Sequence, residues 1–480
     1  MAPTIAAAVF FVGVAGLFVL NRDREATISS ALWIPVIWLL IAGSRMVSQW
    51  FQPQAISTPD QYLEGSPIDR LILTGLLLAG ILVLFRRASD VGSLLEANLP
   101  ILVYFSYCAI SIIWSDFPDV AFKRWTKALG DLVMVLIVLT ERYPAVALKR
   151  LLIRCGFLLI PLSVLLCKYY PQLGRGYTST EYGSWIPVFT GVTTDKNMLG
   201  MVCLAFGLGS TWLLCEALRD QPRKVGPIVS HGAILAMVLW LLHVAHSSTS
   251  LTCFLFGSAL IMAMTLFGMG RAARAHLIVG TIASIVFLMV VFPEAYAHII
   301  QSQGKNMTLT GRTDLWNELL NMVTNKWFGT GFESFWLGTR LESLWRIHWW
   351  HPQEAHNGYI EVFLNLGWAG VVLLVVLMIT GYRNVLVGLR NGSNMASFRF
   401  ALFIVAAIYN LTEAAFKTLH PLWLFFILAI TAIPKRAVSR SRLDVRGRSE
   451  SGEDYEELSL PTAAQPDLRW DTNPVRFAER

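Results

Sequence analysis

Residues 197–216 read NMLGMVCLAFGLGSTWLLCE and stay uncharged until Glu216. A helix needs about 20 such residues to cross the hydrocarbon core of a bilayer. Working outward, comparable apolar runs fall at roughly 4–20, 28–44, 68–85, 98–114, 128–140 and 148–170 on one side. On the other they fall at roughly 227–246, 250–268, 276–293, 356–380, 399–416 and 420–434. The reading is an all-α polytopic membrane protein of about 12–13 transmembrane helices. The first and the fifth of these runs, 4–20 and 128–140, are short.

The composition agrees. Of 480 residues, 55% are hydrophobic and 15% charged, with a mean hydropathy of +0.53. A water-soluble domain of this length carries more charge and shorter apolar runs. Cys108, Cys155, Cys167, Cys203, Cys215 and Cys253 lie in or at the ends of apolar runs without metal-ligand spacing, as small buried hydrophobes do. No basic segment precedes the first run and no small-residue cleavage site follows before Asn21, so a retained helix is expected there.

The formal charge is +7, but Lys435–Arg480 holds nine basic and nine acidic residues and contributes nothing net. That segment lacks apolar periodicity and reads as a disordered cytoplasmic tail, 435–480, behind a membrane domain, 1–434. Nothing in the charge pattern points to nucleic acid.

Alternate short loops carry Arg86–Arg87, Lys149–Arg150, Arg219 with Arg223–Lys224, Arg271 with Arg274, and Arg383 with Arg390. Short loops rich in Lys and Arg face the cytoplasm. The opposite, outer face then receives 45–67, 115–127, 171–196, 247–249, 294–355 and 417–419. Against that rule it also holds Lys123, Arg124, Lys127, Lys196, Arg312 and Lys417. Two explanations stand. These cations snorkel or pair with Asp116, Asp119 and Asp195, or they build an anion site on the outer face.

The 294–355 segment is the one large loop. After Gly311-Arg312-Thr313-Asp314, Leu315, Trp316, Leu319, Leu320 and Val323 recur at helical spacing, with Gly329 beyond the end. An amphipathic helix lying at the interface is expected, with Arg312 at an N-terminus where backbone N–H groups also attract anions. Further on, Trp345–His356 reads WRIHWWHPQEAH. Its histidines and Glu354 resemble a metal cluster, but Pro352 breaks the spacing and no two of these His lie at i, i+4. The expectation is no metal, with Trp345, Trp349 and Trp350 as an interfacial belt or a platform for sugar faces.

His356 opens the next span, and Glu361 follows inside it, where a carboxylate is costly enough to suggest function. Asn410, Glu413 and Lys417 fall at i, i+3 and i+7, which predicts one face of a helix ending at the same outer level. Lys196 and Asn197 open another helix there, and Ser247-Ser248-Thr249-Ser250 lies between two more. Four separated segments thus converge on one depth.

These residues resemble the O-antigen ligase and Wzy-type polysaccharide polymerase family, particularly exopolysaccharide polymerases of the ExoQ kind. Carrying the resemblance are Trp114-Ser115-Asp116 with Arg124 and the run Gly191-Val192-Thr193-Thr194-Asp195-Lys196-Asn197-Met198-Leu199-Gly200. So do Gly311-Arg312-Thr313-Asp314-Leu315-Trp316, Gly329-Thr330-Gly331-Phe332, and His356-Asn357-Gly358-Tyr359 with Gly367 and Gly370. Their order over roughly 114–370, with Asn410 to Pro421 beyond, is more specific than any one of them.

The resemblance implies a GT-C-like bundle that needs no cofactor and no metal. It implies a polyprenyl-diphosphate-linked glycan donor, a glycan acceptor, and a site on the periplasmic face of a bacterial inner membrane. A flippase and a chain-length regulator are the protein partners it brings in. It also implies an essential Arg before the loop helix and an essential His opening the next helix, which here are Arg312 and His356. One departure is Ser248, where many members carry a basic residue. Lys196 or Arg124 would then replace it, or the substrate differs.

The implied chemistry suits the residues. A diphosphate leaves without needing a proton, so cations that neutralise it help most. A sugar hydroxyl gains from a base within reach, and His has the nearest ordinary pKa. Arg312 is assigned to the diphosphate and His356 to the acceptor, with Glu413 orienting His356 or binding hydroxyls. Arg124, Lys127, Asp195, Lys196, Asn197, Asn357, Glu413 and Lys417 make up the substrate-binding set. A ligase that transfers finished polymer to lipid A-core remains an alternative. A flippase would place charge along a central path, and a secretion scaffold would need neither Arg312 nor His356.

Overall fold

The computed structural model describes residues 2–22, 28–51, 65–179, 184–266, 270–291 and 312–434. The tail 435–480, Gly311 and the first part of the long loop lie outside these residues, so the readings made of them do too.

The chain is an all-α polytopic membrane protein. Among the described residues, seven helices are long and apolar enough to cross a bilayer: Pro3–Leu20, Pro67–Phe85, Pro144–Tyr169, Lys196–Arg219, Val225–Ala245, Ser248–Leu266 and Gly358–Arg390. Ala88–Glu96 and Leu99–Trp114 qualify jointly as an eighth span bent by 90°. Shorter apolar helices are Ser30–Ala42, Ala272–Ile282, Ala396–Tyr409 and Pro421–Ile430. The run at 128–140 is the apolar end of a longer helix, Pro118–Leu139, whose first turns carry Asp119, Lys123, Arg124 and Lys127. Proline opens several helices, where its missing N–H costs nothing. One hairpin, Arg175–Ser179 against Trp185–Phe189, supplies the strands among the described residues.

Lys196–Arg219 is the central helix, packed against Pro144–Tyr169, Val225–Ala245 and Ser248–Leu266. Trp212 on it stacks on Phe398, with ring centroids 4.9 Å apart. Pro3–Leu20 and Pro67–Phe85 instead leave apolar side chains bare, Phe11 at 70% and Leu71 at 76% exposure. Such a surface would aggregate in water and is satisfied by lipid tails.

The long loop folds on itself. Its helix Arg312–Met322 buries Leu315 and Leu319, with Val323 just beyond its end, against Phe335, Trp336, Leu341 and Leu344, and against Phe363 and Leu364 of Gly358–Arg390. The amphipathic helix is therefore where the spacing places it, but protein covers its apolar face, which was expected to lie on lipid. A second loop helix, Gly338–Ile347, supplies part of that cover.

Gly358–Arg390 is broken at Gly367, with φ 64° and ψ −164°. The N–H groups of Trp368 and Ala369 turn outward and donate to Lys326 O at 2.9 Å and Trp327 O at 3.1 Å. Thr330 N and Gly331 N donate in return to Leu364 O and Asn365 O, at 3.1 and 2.9 Å. Backbone groups freed inside an apolar bundle must find partners, and the loop provides them. A Cβ on Gly367 would lie 2.4 Å from Trp327 backbone, so the approach needs glycine.

The helical stripe expected for Asn410, Glu413 and Lys417 does not form. The helix stops at Tyr409 and the next helix begins at Pro421. Asn410 Oδ1 accepts from Ala415 N at 2.8 Å and Phe416 N at 3.0 Å, folding 410–416 into a compact turn. An amide side chain that caps two backbone donors competes with helix continuation. Glu413 and Lys417 still share one neighbourhood, but on a loop.

Candidate active site

Three segments meet at one end of the bundle: the start of Arg312–Met322, the strap 354–357, and the turn 410–420. Asn357 joins the last two. Its Oδ1 caps the helix by accepting from Tyr359 N and Ile360 N at 3.0 and 3.1 Å, and its Nδ2 donates to Leu411 O at 3.1 Å. Gly358 N donates to Asn410 O and Glu413 O at 2.9 and 3.1 Å. A Cβ there would lie 1.9 Å from Asn410 Oδ1, so only glycine lets the segments approach this closely.

On this frame five side chains form a chain of alternating charge. Arg312 Nη2 meets Glu413 Oε1 at 3.3 Å, and Arg312 Nη1 donates to Thr412 O. Glu413 Oε2 lies 3.3 Å from His356 Nδ1, and Glu354 Oε1 lies 3.1 Å from the same nitrogen. Glu354 Oε2 is paired with Lys417 Nζ. Both carboxylates engage Nδ1, and among the described residues no hydrogen bond is made by Nε2. A His tautomer is set by the bond its other nitrogen makes, and here that bonding falls on Nδ1 and leaves Nε2 open.

Burial by itself pushes the His356 imidazole down. Hydrogen bonds to Glu354 and Glu413, with their charges, outweigh it and hold the ring up at about 9. Burial pushes Glu354 upward, but Lys417 and His356 pull it well below the usual carboxylate range. Lys417 shows the mirror image, lowered by burial and raised further by Glu354. His356 remains 22% exposed and Glu413 8%, so the chain is sheltered without being sealed.

A second network positions the strap. Glu361, buried, accepts from Trp336 Nε1 at 3.0 Å and from Ala355 N at 2.5 Å. The intramembrane carboxylate singled out in the sequence thus holds the backbone between Glu354 and His356.

The remaining predicted residues are distributed as follows. Asp195 caps Lys196–Arg219 by accepting from Asn197 N and Met198 N at 2.9 Å, and it feels the charges of Glu354 and Lys417. Lys196 and Asn197 occupy that first turn, both part-buried. The Ser-rich segment reaches the site through Thr249 Oγ1, 3.0 Å from Thr412 Oγ1. Arg124 Nη1 donates to Glu333 O, and Lys127 feels Glu333 and Arg124. Those two cations belong to a neighbouring region. Asp116 pairs with Arg340 at 2.7 Å.

The histidines of the Trp-rich run separate. His348 Nε2 bonds Glu318 Oε2 at 2.7 Å, and His351 stacks on Trp345 with centroids 4.7 Å apart. The cation-sized cluster is a different one, Glu354, His356 and Glu413, whose ligand atoms lie within 4.8 Å of one another. Sequence reasoning missed Glu354 as a partner of His356. Its ion-pair partner, Lys417, lies 63 residues away, and no local signal links them.

The O-antigen ligase family model matches residues 232–375, which hold Arg312, Glu354 and His356. The exopolysaccharide production protein ExoQ of Rhizobium meliloti (strain 1021) is 23% identical over 384 residues. The alignment covers 77% of this chain and 84% of that protein.

Proposed function

We propose, because the chain belongs to the O-antigen ligase and Wzy-type polymerase family, that it polymerises lipid-linked polysaccharide repeat units. Its function is of the polysaccharide polymerase or ligase type. In the finer reading the donor is a glycan on a polyprenyl diphosphate, and the acceptor is a sugar hydroxyl of another lipid-linked repeat. The reaction takes place at the periplasmic face of a bacterial inner membrane. The observation that carries this reading is His356 Nδ1 lying between Glu354 and Glu413 while Arg312 engages the other oxygen of Glu413.

The acceptor hydroxyl oxygen attacks the anomeric carbon of the donor, and the bond from that carbon to the diphosphate oxygen breaks. The hydroxyl proton passes to His356 Nε2, and the diphosphate departs with the bonding electrons. Arg312 neutralises the departing charge with a two-pronged guanidinium. Glu413 holds both groups, which couples the acceptor and leaving-group sides of the reaction.

The reaction proceeds without a metal in this reading. Glu354, His356 and Glu413 are the residues that would hold a divalent ion, but the carboxylates already bind Lys417 and Arg312. Those cations supply the neutralisation that Mg²⁺ gives elsewhere.

The experiment is structural analysis of surface glycan from a deletion strain. Single repeat units left on their carrier establish a polymerase. Full-length polymer stranded on its carrier establishes a ligase acting on lipid A-core, and unaltered glycan removes both.

A further inference from the structure

A cavity of about 240 Å³ shares Glu354 and Lys417 with the charged chain, while His356 lies outside its lining. It is smaller than the pockets of roughly 300–1,000 Å³ that take drug-sized ligands, so it suits one small ring. Part of its lining is aromatic, with Tyr104, Phe332, Trp336 and Phe416. Its charged part has the carboxylates of Glu333, Glu354 and Glu361 beside Arg124 and Lys417. Thr418 also lines it, and Thr418 Oγ1 is buried with no hydrogen-bond partner among the described residues. The backbone N of Thr418 is tied to Glu333 Oε1 at 2.8 Å, which holds this residue in place beside the cavity.

The lining selects its occupant. Three carboxylates against Lys417 and Arg124 leave the lining net negative, which disfavours the diphosphate. A prenyl chain would desolvate those charges with nothing in return. A neutral polyhydroxylated ring suits both parts of the lining, giving hydroxyl hydrogens to the carboxylates and laying its C–H face on the aromatic rings. Glu354 joins the cavity to the His356 end of the charged chain, with Arg312 at the other. We propose that the cavity binds the neutral sugar of the acceptor glycan. This rests on the polymerase reading above and specifies where its acceptor sits.

The test uses purified full-length protein in lipid nanodiscs, with lipid-linked repeats extracted from the source cells. Thr418→Val should raise KM roughly three- to ten-fold, the worth of one neutral hydrogen bond, with the loss carried by KM rather than kcat. The ligand-free variant should unfold at the wild-type temperature, because the hydroxyl has no internal partner to lose. Ala128→Phe, which fills the cavity from its wall, should abolish the stabilisation that high concentrations of glucose, galactose or mannose give the wild type. Unchanged KM in Thr418→Val, or a lowered unfolding temperature, overturns the assignment. So does stabilisation of the wild type by farnesol in place of the hexoses. Loss of polymer in His356→Ala alongside wild-type behaviour of Thr418→Val leaves the catalytic reading standing and removes this one.

Discussion

His356 adopts φ 49°, the left-handed region that non-glycine residues enter at a cost of about 1–3 kcal/mol. Two carboxylates on Nδ1 and the cap at Asn357 hold it there. The ring carries its proton until the pH passes about 9, and a base must first give that proton up. For the free enzyme, kcat/KM should climb with pH between about 7 and 9 and then level. Thermal stability should move the opposite way. The ion pairs of His356 are fully present below its ordinary value of about 6.5 and fade as pH rises through about 9. A rate that is flat over this window would make His356 a fixed cation and not a base.

His356→Ala should reduce polymer formation by roughly 10²–10⁴-fold. Arg312→Ala should cost roughly 10²–10³-fold, and Arg312→Lys should stay badly impaired because a point charge cannot span two phosphate oxygens. Membrane levels of each variant, read by immunoblot, should match wild type, and normal polymer from any one removes that residue from the mechanism. Excess EDTA should leave activity of the purified protein unchanged, whereas loss restored by one added metal would turn Glu354, His356 and Glu413 into ligands. His356, Glu413 and Lys417 were legible as polar residues at the edge of an apolar run, and Arg312 as the cation opening the amphipathic stretch of the loop. Glu354 was not, since its neighbours in sequence suggested a metal run while its partner Lys417 comes from another segment.

Among the elements, apolar periodicity located the long helices and the loop helix Arg312–Met322, because burial and spacing obey the same 3.6-residue rule there. It failed at 410–417, where polar spacing fits a helix and a capped turn equally well. Asn410 decides the matter, and a single amide leaves no periodic trace. Asn410→Ala should destabilise the protein by about 1–3 kcal/mol, having stripped two buried backbone N–H groups of their acceptor. Activity should fall with it, because the turn carries Glu413. Thermal unfolding and a polymer assay on the same preparation check this, and an unaltered unfolding temperature would show that the turn holds without Asn410. The hairpin 175–189 was also unforeseen, since strands of five residues between helices are too short for alternation to register.

At the scale of the molecule, the seven long helices and the bent pair among the described residues were readable as apolar runs, and the shorter apolar helices were counted with them. Orientation rests on Lys and Arg in alternate loops, and the periplasmic placement proposed above rests on it in turn. Cysteines introduced one at a time into 312–350 should react with an impermeant thiol reagent in intact cells, while those at 220–226 should stay silent. The reverse pattern would overturn the orientation and the periplasmic placement together.

The exchange of backbone hydrogen bonds across Gly367 has an evolutionary and practical corollary. Residues 326–331 and 364–369 are stitched in both directions, so neither segment is a self-contained module. Recombination that brought in a foreign loop with its border at His356 would sever the stitching and orphan amides inside the bilayer. The transplantable unit is the loop together with the half-helix through Gly370. The stitch fixes the lengths of 326–331 and 364–369 themselves, while the chain between them can vary without breaking it.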